Sequence, residues 1–562
     1  MRKAMKSIFK HIALVAGIAL LCVSCEDKLN IPPVGSLPSD GYFTTPSHVE
    51  EGVRGVYAKL RGAEVNHYAT LSEMRSDNIW VDPAPNATRE ASEIAHYRFG
   101  PTLGNVASAW SSWYSVIYNA NTVLENIEAV EFSKAEVKNQ FKAELLFLRA
   151  YSHFELVRLF GDVPLVDHVL GATEASQLKQ TKGIDVIKNL VIPDLKEAIN
   201  ALPYQSAMLS STGGSASAEM RADKLAAQAM LARVYMTILG FPYNDSSVKS
   251  EAKNLLKSVV DYGMANGYWA PTATEWKKMF TTDRSAQNKY FLFSIQHTAS
   301  STNNFAFSTC GNALSIEYLP TQAENCYFNG NSMTPAYVEA SLRHEYQATN
   351  DERAEFTVLD IMNPIGSFQG YFNRETEFTK DGKTFKTYER SLCTKWIPYA
   401  TKRASVGVVF DDLNLNTARG DSGGWPMNFP IIRLEDMMLL YAELIASEDV
   451  AAAMGYVNKI RERAGVPARS TSCSAAEALE FIKMERKLEF LGEGIRWFDE
   501  IRYGEWKDAT VDMMNRYLNS SNPGYQSTVS TLAVLDGKYL CPIPQSEMEA
   551  VPGLYVQNNN WE

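Results

Sequence analysis

The stretch NQFKAELLFLRAYSHFELVRLF, residues 139–160, decides the fold of this chain. Apolar side chains recur on most faces of a helix drawn through it. This pattern is typical of a helix buried all round rather than of a surface helix with one apolar stripe. Gly161 follows directly and Pro164 comes soon after, so the helix is predicted to stop there. A helix buried in this way needs other helices around it.

Further helices are predicted on both sides of this core helix. Residues 108–130 place Trp and Tyr side chains at helical spacing. Two helix pairs follow, at 224–239 with 248–263 and at 433–447 with 449–465. In each pair a first helix with small Ala positions and a Tyr precedes an amphipathic one, which is the packing pattern of tetratricopeptide hairpins. No strict repeat period is present. The predicted fold class is therefore mostly α, a tetratricopeptide-like helical hairpin scaffold with long irregular loops and a few short strands.

The middle of the chain has a different composition. Residues 266–430 are rich in Asn, Ser, Thr, Gly and aromatic residues and contain few long periodic runs, although KYFLFSIQH at 289–297 is predicted to be a strand. Long loops inside a compact protein are usually functional. We predict one domain over 41–562, with a helical half to about 265 and a loop-rich, C-terminal half from about 266.

The N-terminus has the features of an export signal. Four basic residues precede a short apolar run, IALVAGIALLCV at 12–23, and Ser24 then stands before Cys25. This order is similar to a bacterial lipobox, although Cys22 takes the place where Leu is usual. We predict a lipoprotein signal peptide at 1–24, lipid attachment at Cys25 and a flexible tether over 25–40. An ordinary signal peptide with an incidental cysteine is the alternative.

Charge and cysteines exclude several classes of protein. The net charge is −11, whereas a nucleic-acid binder would normally show a basic face. The five cysteines beyond Cys25 are widely spaced and contain no CxxC pair, so a zinc site is not expected. Cys310 and Cys326 could form a disulfide in an oxidising compartment. No cofactor is predicted; calcium is conceivable because carboxylates and amides abound, but no EF-hand-like spacing exists.

Four segments together resemble the SusD/RagB family of outer-membrane nutrient-binding lipoproteins of Bacteroidetes. They are AELLFLRAYSHFELVRLFGDVPLV at 143–166, IIRLEDMMLLYAELIA at 431–446 with VNKIRERAG at 457–465, ERKLEFLGEGIRWFDEIRYGEW at 485–506, and YLCPIPQSEMEAVPGLYVQNNNW at 539–561. The third segment is the most specific. The last one departs from the family pattern, with Cys541 where Leu is common and NNNW at its close.

The resemblance implies a large, mostly helical body on the outer leaflet, facing outwards. It implies capture of oligosaccharides, or in some branches peptides, above a SusC-like TonB-dependent β-barrel that takes up the cargo. It also implies membrane attachment through the lipid alone, no nucleic-acid partner and no catalysis.

Motifs of catalysis are weak or absent. GDSGG at 420–424 matches the pentapeptide around a serine-protease nucleophile, and RGD at 419–421 spells an adhesion tripeptide. The base motif Ala-His-Cys and the all-β scaffold of such proteases are missing, so a flexible turn is the better interpretation. The charged segment 485–506 is interpreted as an ion-pair network holding a helix to the body, with Trp497 and Phe498 in the core. No catalytic residue and no metal ligand is predicted.

Two segments have the composition of a sugar site. Aromatic rings stack on the C–H face of a sugar, while Asn, Asp and Arg bind its hydroxyl rim. The first segment, EMRSDNIWVDPAPN at 73–86, provides Arg75, Asp77, Asn78 and Trp80 before two prolines that mark a loop. The second, at 301–331, provides Asn303, Tyr318, Tyr327 and Phe328, with Phe305 nearby. The resemblance implies a binding face built from an N-terminal and a mid-chain loop region, which fits both segments.

Three other functions remain open from the sequence. The same fold could hold peptides or another nutrient through backbone hydrogen bonds and side-chain pockets. A surface glycoside hydrolase would need two carboxylates facing each other across a cleft, and the sequence shows no such pair. A scaffold with no small ligand is the remaining alternative.

Overall fold

The computed structural model describes residues 41–81, 89–217, 220–281, 283–297, 336–359, 428–518 and 537–561, with short segments at 375–380, 383–388, 392–393, 395, 403–404 and 407–408. The chain divides into two compact units, Met1–Thr44 and Thr45–Glu562. The predicted signal peptide, Cys25 and the tether at 25–40 lie outside the described residues.

Helices dominate the described part of the chain, as predicted. They are α1 (Pro46–Glu64), α2 (Arg89–Ala95), α3 (Gly104–Asn126), α4 (Ala135–Phe160), α5 (Ala172–Ala175), α6 (Gly183–Val186), α7 (Ile192–Ala201), α8 (Lys224–Leu239), α9 (Lys249–Ala265), α10 (Ala273–Met279), α11 (Arg284–Tyr290), α12 (Ala340–Thr349), α13 (Glu352–Thr357), α14 (Leu434–Ile445), α15 (Val450–Arg463), α16 (Ala475–Glu489), α17 (Arg496–Tyr503), α18 (Trp506–Leu518) and α19 (Gln545–Ala550). Single π-helical turns span Val65–Thr70 and Ile187–Val191, and a 3₁₀ turn spans Glu73–Arg75.

The described strands form two-stranded antiparallel ribbons. They are β1 (Ile79–Val81) with β5 (Ala336–Val338), β2 (Val163–Pro164) with β3 (Gln180–Thr181), β4 (Phe291–Ile295) with β12 (Phe429–Arg433), β6 (Val358–Leu359) with β9 (Leu392–Cys393), β7 (Glu375–Lys380) with β8 (Lys383–Tyr388), and β10 (Arg403–Ala404) with β11 (Gly407–Val408). The strand predicted within 289–297 is β4, which is buried along its whole length.

Helix α4 is the central helix, as its apolar pattern predicts. Its middle turns and its C-terminal half are buried, and it packs against α3 and α7. It ends at Gly161, whose φ of +73° lies in the left-handed region where glycine costs least. Trp113 on α3 and Tyr151 on α4 meet edge to face with ring centroids 5.2 Å apart. The stretch that decides the fold is therefore the centre of the apolar core.

Successive helices pack as hairpins. The two predicted pairs are α8 with α9 and α14 with α15, and α9 also packs against α14, which joins the pairs into one layer. Side chains that accept hydrogen bonds from free backbone N–H groups fix where these helices start. Asp223 caps α8, Asp449 caps α15, and Ser474 with Glu477 forms a reciprocal capping box on α16. In the described part of the chain, no helix is both long enough and apolar enough to span a membrane.

Candidate ligand-binding site

The ribbon of β1 and β5 pairs a strand of the first segment predicted to bind ligand with the strand that follows the second segment along the chain. Trp80 is paired with Tyr337 and Val81 with Ala336, while the N–H of Glu339 donates to the carbonyl of Asn78 at 2.8 Å. Segment 73–86 continues beyond β1, and segment 301–331 ends just before β5. The two loop segments therefore attach to neighbouring strands, although they are far apart in sequence.

Beneath this ribbon, Glu73 binds the turn that precedes α17. Its carboxylate accepts hydrogen bonds from the backbone N–H groups of Gly492 at 2.8 Å and Gly494 at 2.9 Å, and from the amide of Asn78 at 3.0 Å. Burial raises the pKa of Glu73, and these donors act against that rise. Gly494 has a φ of +70°, and a Cβ there would lie 2.8 Å from the carbonyl oxygen of Tyr68, so the turn requires glycine.

Asp77 is held between two buried cations. Nζ of Lys487 lies 2.9 Å from one carboxylate oxygen, Nε of Arg496 lies 2.8 Å from the other, and the backbone N–H of Asp77 donates to Glu500 at 2.9 Å. Burial alone would raise the pKa of Asp77, but Arg496 and Lys487 hold it well below its usual range. Burial and the charge of Asp77 raise the pKa of Glu500. Asp77 therefore fastens the β1 region to α16 and α17.

Arg75 reaches the C-terminal segment from the same region. Its guanidinium donates to the carbonyl of Lys538, to the carbonyl of Tyr539 at 3.2 Å and to Sγ of Cys541 at 3.3 Å. It also stacks on the ring of Trp497, with 4.3 Å from Cζ to the ring centroid. Cys541, which departs from the family pattern, is thus the buried acceptor of a guanidinium hydrogen bond.

The four residues predicted in the first segment are all buried. Trp80 is 2% exposed and meets the ring of His96 edge to face at 5.4 Å, and Arg75, Asp77 and Asn78 are 0–7% exposed. The sequence predicts a loop here, whereas in the structure these residues are part of a polar core below the ribbon. Ligand contact by these four side chains stays a prediction. The predicted residues Asn303, Tyr318, Tyr327 and Phe328 lie outside the described residues, as do Cys310 and Cys326.

The ion-pair interpretation of segment 485–506 is confirmed. The carboxylate of Glu489 lies within 2.7–3.1 Å of guanidinium nitrogens of Arg353, Arg433 and Arg463. Arg486 pairs with Asp499 at 2.8 Å and with Asp436 at 2.8 Å. Trp497 and Phe498 are buried as expected. Lys487, Arg496 and Glu500 were not singled out from the sequence, although their positions inside this charged segment were the available signal.

Within the described ranges, no group of three or more His, Cys, Asp or Glu side chains is arranged to hold a metal ion. The GDSGG and RGD tripeptide region at 419–424 lies outside those ranges. The described cysteines Cys393, Cys473 and Cys541 are free thiols.

Comparison with known proteins places the chain among SusD proteins. Residues 320–561 match the family model described as the SusD family, and residues 29–236 match one described as starch-binding, associating with outer membrane. The SusD-like protein P2 of Formosa agariphila is 23% identical over 496 residues, covering 86% of this chain and 88% of that relative.

Solved structures share the fold over nearly the whole chain. A SusD homolog from Bacteroides thetaiotaomicron superposes with a TM-score of 0.72 at 20% identity, covering 92% of this chain and 98% of that one. The surface glycan-binding protein A from Bacteroides thetaiotaomicron, solved in complex with laminarihexaose, superposes with a TM-score of 0.67 at 20% identity, covering 92% and 100%. The two family models, the curated relative and the shared fold agree, and the chain belongs to the SusD/RagB family.

Proposed function

We propose that this chain is a cell-surface binding protein that captures oligosaccharides and delivers them to a SusC-like TonB-dependent outer-membrane barrel. The observation that carries the proposal is the β1–β5 ribbon. It pairs β1, which lies within the first predicted segment, with β5, which follows the second predicted segment along the chain, on a base fixed by Glu73 and Asp77. A rigid base with adjacent loops is the arrangement in which rings can stack on a sugar while amides bind its hydroxyls.

Several findings support this proposal. A relative of the same fold was solved with laminarihexaose, and one matching family model is described as starch-binding and associating with outer membrane. Stacking on a shallow site gives dissociation constants of roughly micromolar to millimolar, which suits a protein that must release its cargo. The chain performs no bond cleavage in this scheme. Cys25 carries the lipid that holds the protein on the outer leaflet, and energy for uptake comes from the partner barrel and its inner-membrane motor.

Binding is tested by titrating the purified chain without residues 1–24 against a panel of neutral oligosaccharides, with laminarihexaose first, and against a peptide panel. We expect saturable binding of at least one oligosaccharide, weakened or lost in Tyr327→Ala. The matched control is Tyr118→Ala, which removes a ring that is 48% exposed on α3. Binding to peptides but to no oligosaccharide would show that the cargo is a peptide. Release of shorter sugars by the pure chain would show that it is a hydrolase.

Delivery is tested separately. We expect the full-length chain, purified under mild detergent from its native outer membrane, to carry with it a TonB-dependent barrel with a contact area above about 1,000 Å². If the chain binds sugar but never co-purifies with a barrel, the proposal of capture would stand and the proposal of delivery would be wrong.

A further inference from the structure

A separate cleft opens where α4 ends, and none of its lining residues belongs to the two loop segments. It has a cavity volume of about 180 Å³ and lies between the end of α4, the turn after α8 and the C-terminal segment. A cavity of about 150 Å³ accepts one benzene ring, so this cleft has room for one six-membered ring and not for two.

Aromatic side chains form its walls. Phe241 and Tyr539 stand edge to face with ring centroids 5.2 Å apart, and both are half-buried. Phe498 lies deeper, covered by the guanidinium of Arg158 at 3.7 Å from its ring centroid. The turn that carries Phe241 is fixed, because the N–H of Phe241 donates to the carbonyl of Arg502 at 3.0 Å. The walls are therefore preformed, as ligand pockets usually are.

Polar groups with spare hydrogen-bonding capacity line the same space. The hydroxyls of Tyr243 and Tyr539 have no hydrogen-bond partner among the described residues. Asp162 is oriented by the backbone N–H of Gly183 at 2.9 Å and by Lys182 at 2.6 Å, and each carboxylate oxygen can accept one more bond. Asn558 uses both amide hydrogens on the carbonyls of Phe160 and Cys541, which leaves its oxygen as an acceptor.

The charges of the cleft select a neutral ligand. Its two guanidiniums are already neutralised, Arg158 by Glu155 and Arg502 by Glu443 and Asp499. Asp162 is likewise paired, with Lys182, so the cleft offers neither an anion nor a cation an uncompensated counter-charge. Phenol hydroxyls and acceptor oxygens without a partner would be left unsatisfied by a purely apolar ligand.

We propose that this cleft is a second binding site, which takes a single neutral sugar ring or a cyclic polyol of the same size. Phe241 and Tyr539 contact the C–H face of the ring, and Tyr243, Tyr539, Asp162 and Asn558 bind its hydroxyls. The site does not include residues of the loop segments, so this proposal can be tested independently of oligosaccharide capture.

The test uses the Tyr327→Ala chain, in which the loop segments are impaired, and detects glucose, galactose and myo-inositol by saturation-transfer NMR. We expect at least one of them to bind, with affinity reduced about tenfold when Tyr243→Phe and Tyr539→Phe remove both hydroxyls but keep the rings. Tyr118→Phe is the control and should bind as before. Unfolding curves of each variant check that the fold is retained.

Two results would overturn the site. One is the absence of any ring binding in both the Tyr327→Ala chain and the unmodified chain. The other is binding that persists unchanged in the double Phe variant, which would place the ring elsewhere. Cyclohexanol or inorganic phosphate binding in preference to the sugars would also contradict the proposed ligand class.

Discussion

At the scale of single residues, burial decides what Trp80 does. Its indole is 2% exposed on β1 and packs against His96, so truncation leaves a cavity below the ribbon. We expect Trp80→Ala to lower the free energy of unfolding by about 3–5 kcal/mol, measured by urea denaturation. Tyr118→Ala, on the exposed face of α3, should leave it nearly unchanged. If the Trp80→Ala chain kept full stability but lost sugar binding, Trp80 would contact the ligand instead of stabilising the fold.

The pair of Asp77 and Arg496 supports a second prediction at this scale. Both side chains are at most 10% exposed and meet at 2.8 Å, so removing one partner leaves the other buried without its main counter-ion. Breaking such a pair costs about 3–5 kcal/mol, and we expect this loss of unfolding free energy in Arg496→Leu.

The control for Arg496 is Lys257→Ala, which removes the exposed partner of Asp261 on α9. Exposed pairs are screened by water, so its urea midpoint should not move measurably. Equal effects of the two substitutions would mean that Asp77 and Arg496 contribute nothing beyond a surface pair.

At the scale of elements, the close approach of α8 to α17 depends on Gly240. A Cβ at Gly240 would lie 2.4 Å from the carbonyl oxygen of Arg502, which is backbone and cannot rotate away. We expect Gly240→Ala to destabilise the chain by more than about 1 kcal/mol. Gly455, in the exposed part of α15 with no atom within 4 Å of an added Cβ, is the matched control.

Gly455→Ala should stabilise the chain by roughly 0.5–1 kcal/mol, because Ala has the higher helix propensity. We therefore expect thermal unfolding to show a loss of stability in Gly240→Ala and a gain of stability in Gly455→Ala. Two changes of the same sign would show that the approach of α8 and α17 is not tight.

The elements could be predicted from the sequence because their signals are local. The pair 224–239 and 248–263 became α8 and α9 with only a residue or two of difference at the ends, since apolar periodicity and caps lie within each helix. The burial of segment 73–86 could not be predicted from such local signals. Its polar residues resemble a loop, but Asp77 and Arg75 find partners more than 400 residues later, which no local pattern reveals.

At the scale of the whole molecule, we expect the free energy of unfolding to depend on pH through His153. Nδ1 donates to the carbonyl of Arg149 at 3.0 Å and Nε2 accepts from the N–H of Val166 at 3.2 Å, so the buried ring is satisfied only when neutral. Burial lowers the pKa of His153 to about 4. The unfolded chain takes up this proton near pH 6.5, so stability is full above that pH and is lost as pH falls towards 4.

We therefore expect the unfolding free energy to fall from pH 7 to pH 4, with about 3 kcal/mol of the loss due to His153. In His153→Gln this part of the slope should disappear, whereas the exposed His168→Gln control should keep it. Unfolding curves at three pH values measure the difference. An unchanged slope in His153→Gln would show that this ring is not the group that titrates.

Attachment is the other property of the whole molecule. We expect Cys25→Ser to abolish acyl labelling and to move the chain from the membrane fraction to the soluble fraction, while Cys473→Ser, a free thiol within the folded body, leaves both unchanged. Absence of acyl labelling from the unmodified chain would instead point to an ordinary signal peptide with an incidental cysteine.

The contacts of Asp77, Glu73 and Arg75 have a consequence for how the chain is made. Their long-range partners lie at residues 487–541, so the residues of this polar core that leave the ribosome first must wait for almost the last. A polypeptide truncated before this point would leave Asp77 without its counter-ions Lys487 and Arg496, and quality-control proteases should remove it. Completion of synthesis thus acts as the checkpoint for a stable fold, since no partial product can assemble this polar core.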